Sequence, residues 1–86
     1  MKIKYEFIKR EIAGDVFLVP IGEAVKHYSG LFALNEVGSF IWDVLEKCED
    51  DAAIVDAVLE EYDVPREQAE ADVAEFLGKI RDMGII

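Results

Sequence analysis

Few of the residue types that carry chemistry occur in this chain, and their spacing limits what they could do. His27 is the only imidazole and Cys48 the only thiol. His27 stands between Lys26 and Tyr28 in a polar stretch with no nucleophile near it in sequence, so it is expected to be an ordinary surface residue. Cys48 lies among acids, which oppose a reactive thiolate, and is expected to be a small, partly buried residue. The acids Glu49, Asp50, Asp51 and Asp56 lack the alternating ligands and central glycine of a calcium loop, and helix capping explains them better. The chain has no glycine-rich phosphate loop, no Cys-x-x-Cys and no His-x-x-x-His pair. The expectation is therefore no catalytic residue, no metal and no cofactor. The remaining residue of note is Trp42, which falls outside the apolar stripe of its helix. It is expected to pack under a hairpin, with a role as a contact residue as the alternative.

The elements that would position such residues follow from length and pattern. Eighty-six residues make one small domain with a single core, here 1–86, and 52% hydrophobic residues supply enough apolar surface to fold it. Nineteen acids against nine Lys and Arg give a formal charge of −10. That charge opposes nucleic-acid phosphates and anionic membrane surfaces, so neither is expected as a partner. One cysteine excludes an intrachain disulfide, and no apolar run reaches the roughly 18 residues of a membrane span. With no signal-peptide core after Met1, a cytoplasmic protein is expected.

Lys2 to Phe7 alternates with period two and resumes after a slip at Phe7-Ile8, which predicts a strand with a bulge. Ala13-Gly14-Asp15 separates it from Val16-Phe17-Leu18-Val19, and a type II′ hairpin turn with Gly14 at its first position is expected. Ile21 to Gly30 is a connector with a helical turn near Glu23 to Lys26, and Leu31 to Leu34 is a short strand. Asn35 then caps a helix with the stripe Val37, Phe40, Ile41, Val44 and Leu45. Asp50 or Asp51 caps a second helix, carrying Ile54, Val55, Val58, Leu59 and Tyr62 on one face. Pro65 suits the first position of a third, with Ala69, Val73, Phe76, Leu77 and Ile80 on its stripe and Gly84 as its stop.

Three strands followed by three helices predict an α+β winged helix-turn-helix with an N-terminal antiparallel sheet. That fold often binds DNA, yet the third helix carries Glu67, Glu70, Asp72, Glu75 and Asp82 against Arg66, Lys79 and Arg81. An acidic reading helix does not approach phosphates. A strand edge at Leu31 to Leu34 beside the third helix would instead accept an extended peptide as an added strand, or a second copy of the chain.

The stretch Gly30 to Leu45, with Asn35-Glu36-Val37-Gly38 entering Ile41-Trp42-Asp43-Val44-Leu45, resembles the signature of the PqqD-like family, named for pyrroloquinoline quinone synthesis protein D. The resemblance continues through Glu61-Tyr62-Asp63-Val64, Ala71-Asp72-Val73, Phe76-Leu77 and Gly84-Ile85-Ile86, nearly the whole chain. It implies a winged helix-turn-helix that binds the leader segment of a ribosomally made precursor peptide and presents it to a modifying enzyme, often a radical S-adenosylmethionine enzyme. It also implies that the leader adds to Leu31, Phe32, Ala33 and Leu34 and packs on the third helix through Asp72, Val73, Phe76, Leu77, Ile80 and Arg81. Asp72 or Arg81 would pair with leader charges, and the surplus of acids favours a precursor with basic residues near its bound segment. The expected function is thus a non-catalytic peptide chaperone. The alternatives are a DNA-associated winged-helix regulator and a structural homodimer pairing through the same edge.

Overall fold

A computed structural model describes all of residues 1–86. The chain forms β1 (Phe7–Ile12), β2 (Asp15–Pro20), a 3₁₀ turn at Gly22–Lys26, and β3 (Phe32–Leu34). Helix α1 (Glu36–Val44) follows and tightens into a 3₁₀ turn at Leu45–Lys47, before α2 (Asp51–Glu61) and α3 (Arg66–Asp82). The sheet is antiparallel in the order β1-β2-β3, so β3 pairs with β2 alone and its other edge is open. This is the winged helix-turn-helix arrangement expected from the order of elements.

The hairpin differs from expectation in two details. Pairing runs without interruption from Phe7 opposite Pro20 to Ile12 opposite Asp15, so there is no bulge. The strand begins only at Phe7, because residues 1–6 are drawn off to cover the helices: the Lys4 N–H donates to the Ile85 carbonyl at 2.7 Å. Half-buried Ile3 and Tyr5 pack on the core there, and that burial accounts for the alternation that reads as a strand. The turn is a two-residue loop with positive φ at both Ala13 (52°) and Gly14 (87°). Positive φ at both central residues is the type I′ geometry, not II′, and it matches the twist of the flanking strands.

Sheet register decides which residues meet the helices. Phe32 stands opposite Leu18 and Leu34 opposite Val16, which puts them on the face where Leu18 is buried. Lys9 shares that face and ties β1 to α1, donating to Ser39 Oγ at 2.8 Å and Asp43 Oδ2 at 2.7 Å. The core beneath is built from Leu18, Ile41, Leu45, Ile54, Val58, Val73, Leu77 and Ile85, all essentially without solvent contact.

Each helix starts and stops for a local reason. The Gly38 N–H donates to Asn35 Oδ1 at 2.7 Å, and the Ala53 N–H to Asp50 Oδ1 at 2.9 Å. Both expected caps therefore form, Asp50 being the one used. Pro65 sits at the N-cap of α3 and not its first position; its extended ψ of 151° delivers the chain into the helix at Arg66. At the far end the Ile85 N–H donates to the Ile80 carbonyl and the Gly84 N–H to the Arg81 carbonyl, with Gly84 at φ +80°. These are the two bonds of a Schellman motif, and the apolar pair Ile80 and Ile85 closes it.

His27 is exposed and packs its ring 4.7 Å from Tyr5. Cys48 is half-buried. Trp42 lies under the hairpin, its indole edge-on to Phe7 with the ring centroids 5.8 Å apart. Such an edge-to-face pair is favoured by the quadrupoles of the two rings. No group of three or more His, Cys, Asp or Glu side chains is placed to hold a metal ion, and no helix is long and apolar enough to cross a membrane.

Candidate functional site

The open edge of β3 faces a groove whose opposite wall is α3. Phe76, Lys79, Ile80 and Met83 follow the i, i+3, i+4, i+7 spacing that puts them on one face of that helix, and all four line the groove. Leu31 to Leu34 form the other wall, and the floor is Leu18 and Ile85. The resulting cavity is about 340 Å³ and is lined mainly by apolar side chains.

Gly38 brings the two walls together at the start of α1. A Cβ there would stand 3.2 Å and 3.3 Å from the Cδ1 and Cε1 carbons of Phe76 and 3.1 Å from Asn35 Oδ1. Only glycine admits the phenyl ring so close to the capped first turn. Phe76 in turn lines a second, smaller cavity of about 100 Å³ that continues the groove toward the N-terminal half of α3. There the walls are polar: Asn35 on one side, Asp72, Glu75 and Lys79 on the other. Asp72 accepts from Gln68 Nε2 at 2.9 Å, and Lys79 pairs with Glu75 at 3.4 Å.

The expected site residues therefore divide. Leu31, Phe32, Ala33, Leu34, Phe76 and Ile80 meet around the apolar cavity, and Asp72 lies at its polar extension. Val73 and Leu77 do not reach the groove: they are buried on the core side of α3. Arg81 also points elsewhere. Its guanidinium donates to Asp51 Oδ1 at 2.8 Å, across from α2, and that hydrogen bond together with the carboxylate's charge raises its pKa above the usual arginine value. Sequence reasoning does not assign Lys79, Met83, Asn35 and Gly38 to the groove. The first two are legible as the i+3 and i+7 positions from Phe76; the others act through a cap and a close approach that no periodicity reveals.

Met83 is held by its neighbour. The Tyr28 hydroxyl donates to the Met83 carbonyl at 2.6 Å, which fixes the connector against the end of α3, and burial followed by the nearby Tyr5 raises the phenol's pKa. A separate cavity of about 380 Å³ lies at the β1 side, floored by Tyr5, Phe7 and Trp42 and rimmed by Glu6, Glu23 and Glu46. It shares no lining residue with the groove and opens on no unpaired β3 backbone.

The family model described as coenzyme PQQ synthesis protein D (PqqD) matches residues 18–86, which include all three helices, β3 and the end of β2. The chain belongs to the PqqD family. No curated protein matches it. Among solved structures, it is similar to TbiB1 in complex with the TbiA(beta) leader peptide, at 32% identity and a TM-score of 0.70, covering 99% of this chain and 93% of that one. The PqqD match begins inside β2 and so omits β1, while it contains both walls of the groove.

Proposed function

We propose that this PqqD-family domain is a non-catalytic recognition module that binds the leader segment of a ribosomally made precursor peptide by strand addition at β3. The observation that carries the proposal is the open β3 edge facing an apolar groove, in a chain similar to a protein solved with a leader peptide bound. Unpaired backbone groups of β3 give affinity for any extended segment, and the cavity against α3 selects the side chains that alternate toward it. Leu31, Phe32, Ala33, Leu34, Phe76, Ile80 and Met83 are the contact residues, with Asp72 and Lys79 at the polar end. Val73, Leu77 and Arg81 are assigned no contact, because the first two fill the core and the third is paired with Asp51.

The bound peptide is then presented to a modifying enzyme, of the radical S-adenosylmethionine type, in the cytoplasm where the precursor is translated. DNA is not the ligand in this reading: Glu67, Glu70, Glu75 and Asp82 stand on the exposed surface of α3, and a duplex would meet net negative charge. A second copy of the chain pairing through β3 is the competing use of the edge.

The test is fluorescence polarisation of the labelled leader of the short peptide encoded beside the gene, with sedimentation of the same samples. Saturable 1:1 binding to a monomer, with no conversion of the precursor until an enzyme is added, is the expected result. A dimer that excludes the leader would favour self-pairing, and turnover by this chain alone would overturn the non-catalytic reading.

A further inference from the structure

The two cavities along α3 have opposite character, and that gives the groove a direction. The apolar cavity runs along Leu31 to Leu34 and reaches Met83; the polar one meets it at Asn35, Phe76 and Lys79 and extends past them to Asp72 and Glu75. At the rise of an α-helix, Asp72 and Met83 are separated by roughly 16 Å along the axis, the length of about five extended residues, of which alternate ones face the helix. An added strand is most stable antiparallel to β3, which runs from Leu31 toward Asn35, so its N-terminal end lies at the polar cavity.

The polar end carries two carboxylates, Asp72 and Glu75, against one cation, Lys79, on a chain of net charge −10. Asp72 has no cation within ion-pair distance, and Lys79 is already engaged by Glu75. Local and overall charge thus both favour a positive side chain at that end. Resting on strand addition at β3, we propose that the groove selects a polarised segment: a Lys or Arg first, then apolar residues at the alternate positions that follow, with Asp72 and Glu75 as the specificity-determining carboxylates.

Three synthetic peptides test this: acetyl-Lys-Thr-Leu-Thr-Leu-Thr-amide, the same peptide with Glu replacing Lys, and the reversed order with Lys last. Each is titrated into the labelled protein while the amide shifts of β3 and α3 are followed. Binding of the Lys-first peptide about five-fold tighter than the other two, an advantage that shrinks as salt approaches ~0.5 M, is the expected result. Asp72→Asn should remove most of that preference. Lys79→Gln should enlarge it, because Glu75 is then free, and a helix residue with a merely structural role would not give these opposite effects. Equal affinities at the groove, or a preference for Glu, would overturn the polarity while leaving strand addition intact. No shift in β3 or α3 with any peptide would overturn strand addition itself, and this inference with it.

Discussion

Replacing Gly38 by alanine separates the shape of the groove from the stability of the fold. The new methyl carbon would sit 3.2 Å and 3.3 Å from two ring carbons of Phe76, where ordinary contact begins near 3.4 Å, so the ring must move by a few tenths of an ångström. Its core side is closed by packing, and its free side is the groove. Alanine gains up to about 0.8–1.0 kcal/mol of helix propensity over glycine. Overpacking costs about 1–3 kcal/mol, and crowding of the Asn35 cap adds to it. The net destabilisation should therefore be about 0–3 kcal/mol, read from urea unfolding followed by the fluorescence of Trp42. Peptide binding should suffer separately, because the displaced ring takes up about a methylene's worth of the cavity. A mismatch of that size costs about 1 kcal/mol or more, at least about five-fold in leader affinity by polarisation. Gly78→Ala is the control, since nothing lies within 4 Å of its Cβ. It should stabilise α3 by up to about 1 kcal/mol and leave binding unchanged. Parent-like affinity in a folded Gly38→Ala protein would refute the link between Gly38, Phe76 and the groove.

Other substitutions probe the remaining features. Ala13 holds a left-handed backbone at φ 52°. Asparagine tolerates that conformation better, so Ala13→Asn should stabilise the hairpin by about 0.5–1 kcal/mol in urea titrations. Arg81→Ala should lower stability only slightly in urea titrations, as its pair with Asp51 is half exposed, and should leave leader affinity untouched because Arg81 points away from the groove. Tyr28→Phe should cost about 1 kcal/mol at neutral pH, in the same urea titrations, through loss of the bond to Met83. The folded state holds the Tyr28 phenol above its ordinary pKa of about 10, so its contribution is complete below pH 10 and lost as pH rises through the raised value. The stability gap between parent and Tyr28→Phe should accordingly narrow above pH 10.

The helices are the most legible part of the fold, since their caps and stripes are local: Asn35, Asp50 and Gly84 each act within about one turn of themselves. The sheet is less so. Alternation from Lys2 to Phe7 reports burial on one side, and an extended segment laid over helices produces it as well as a paired strand does. The turn type escapes a local reading because Ala13 adopts positive φ against its own preference, a case where strand pairing overrides local chemistry. In the groove, the β3 wall is readable as a short apolar run, and Phe76 and Ile80 as stripe residues. A stripe alone does not divide core from groove: Val73 and Leu77 lie about one helical turn from Phe76 and Ile80 yet are sealed in the core, and only packing decides it. The family resemblance assigns Arg81 to the groove, while its partner Asp51 is distant in sequence and invisible to any local pattern.

The most direct test of strand addition at β3 is an amide-resolved NMR titration of the protein with the leader of the short peptide encoded beside its gene. Strand addition predicts saturable shifts at Phe32 to Leu34, Phe76, Lys79, Ile80 and Met83, with β3 amides newly protected from exchange and the Arg81 side chain unmoved. Shifts confined to the cavity around Trp42, or a bound leader that leaves β3 amides unprotected, would contradict it.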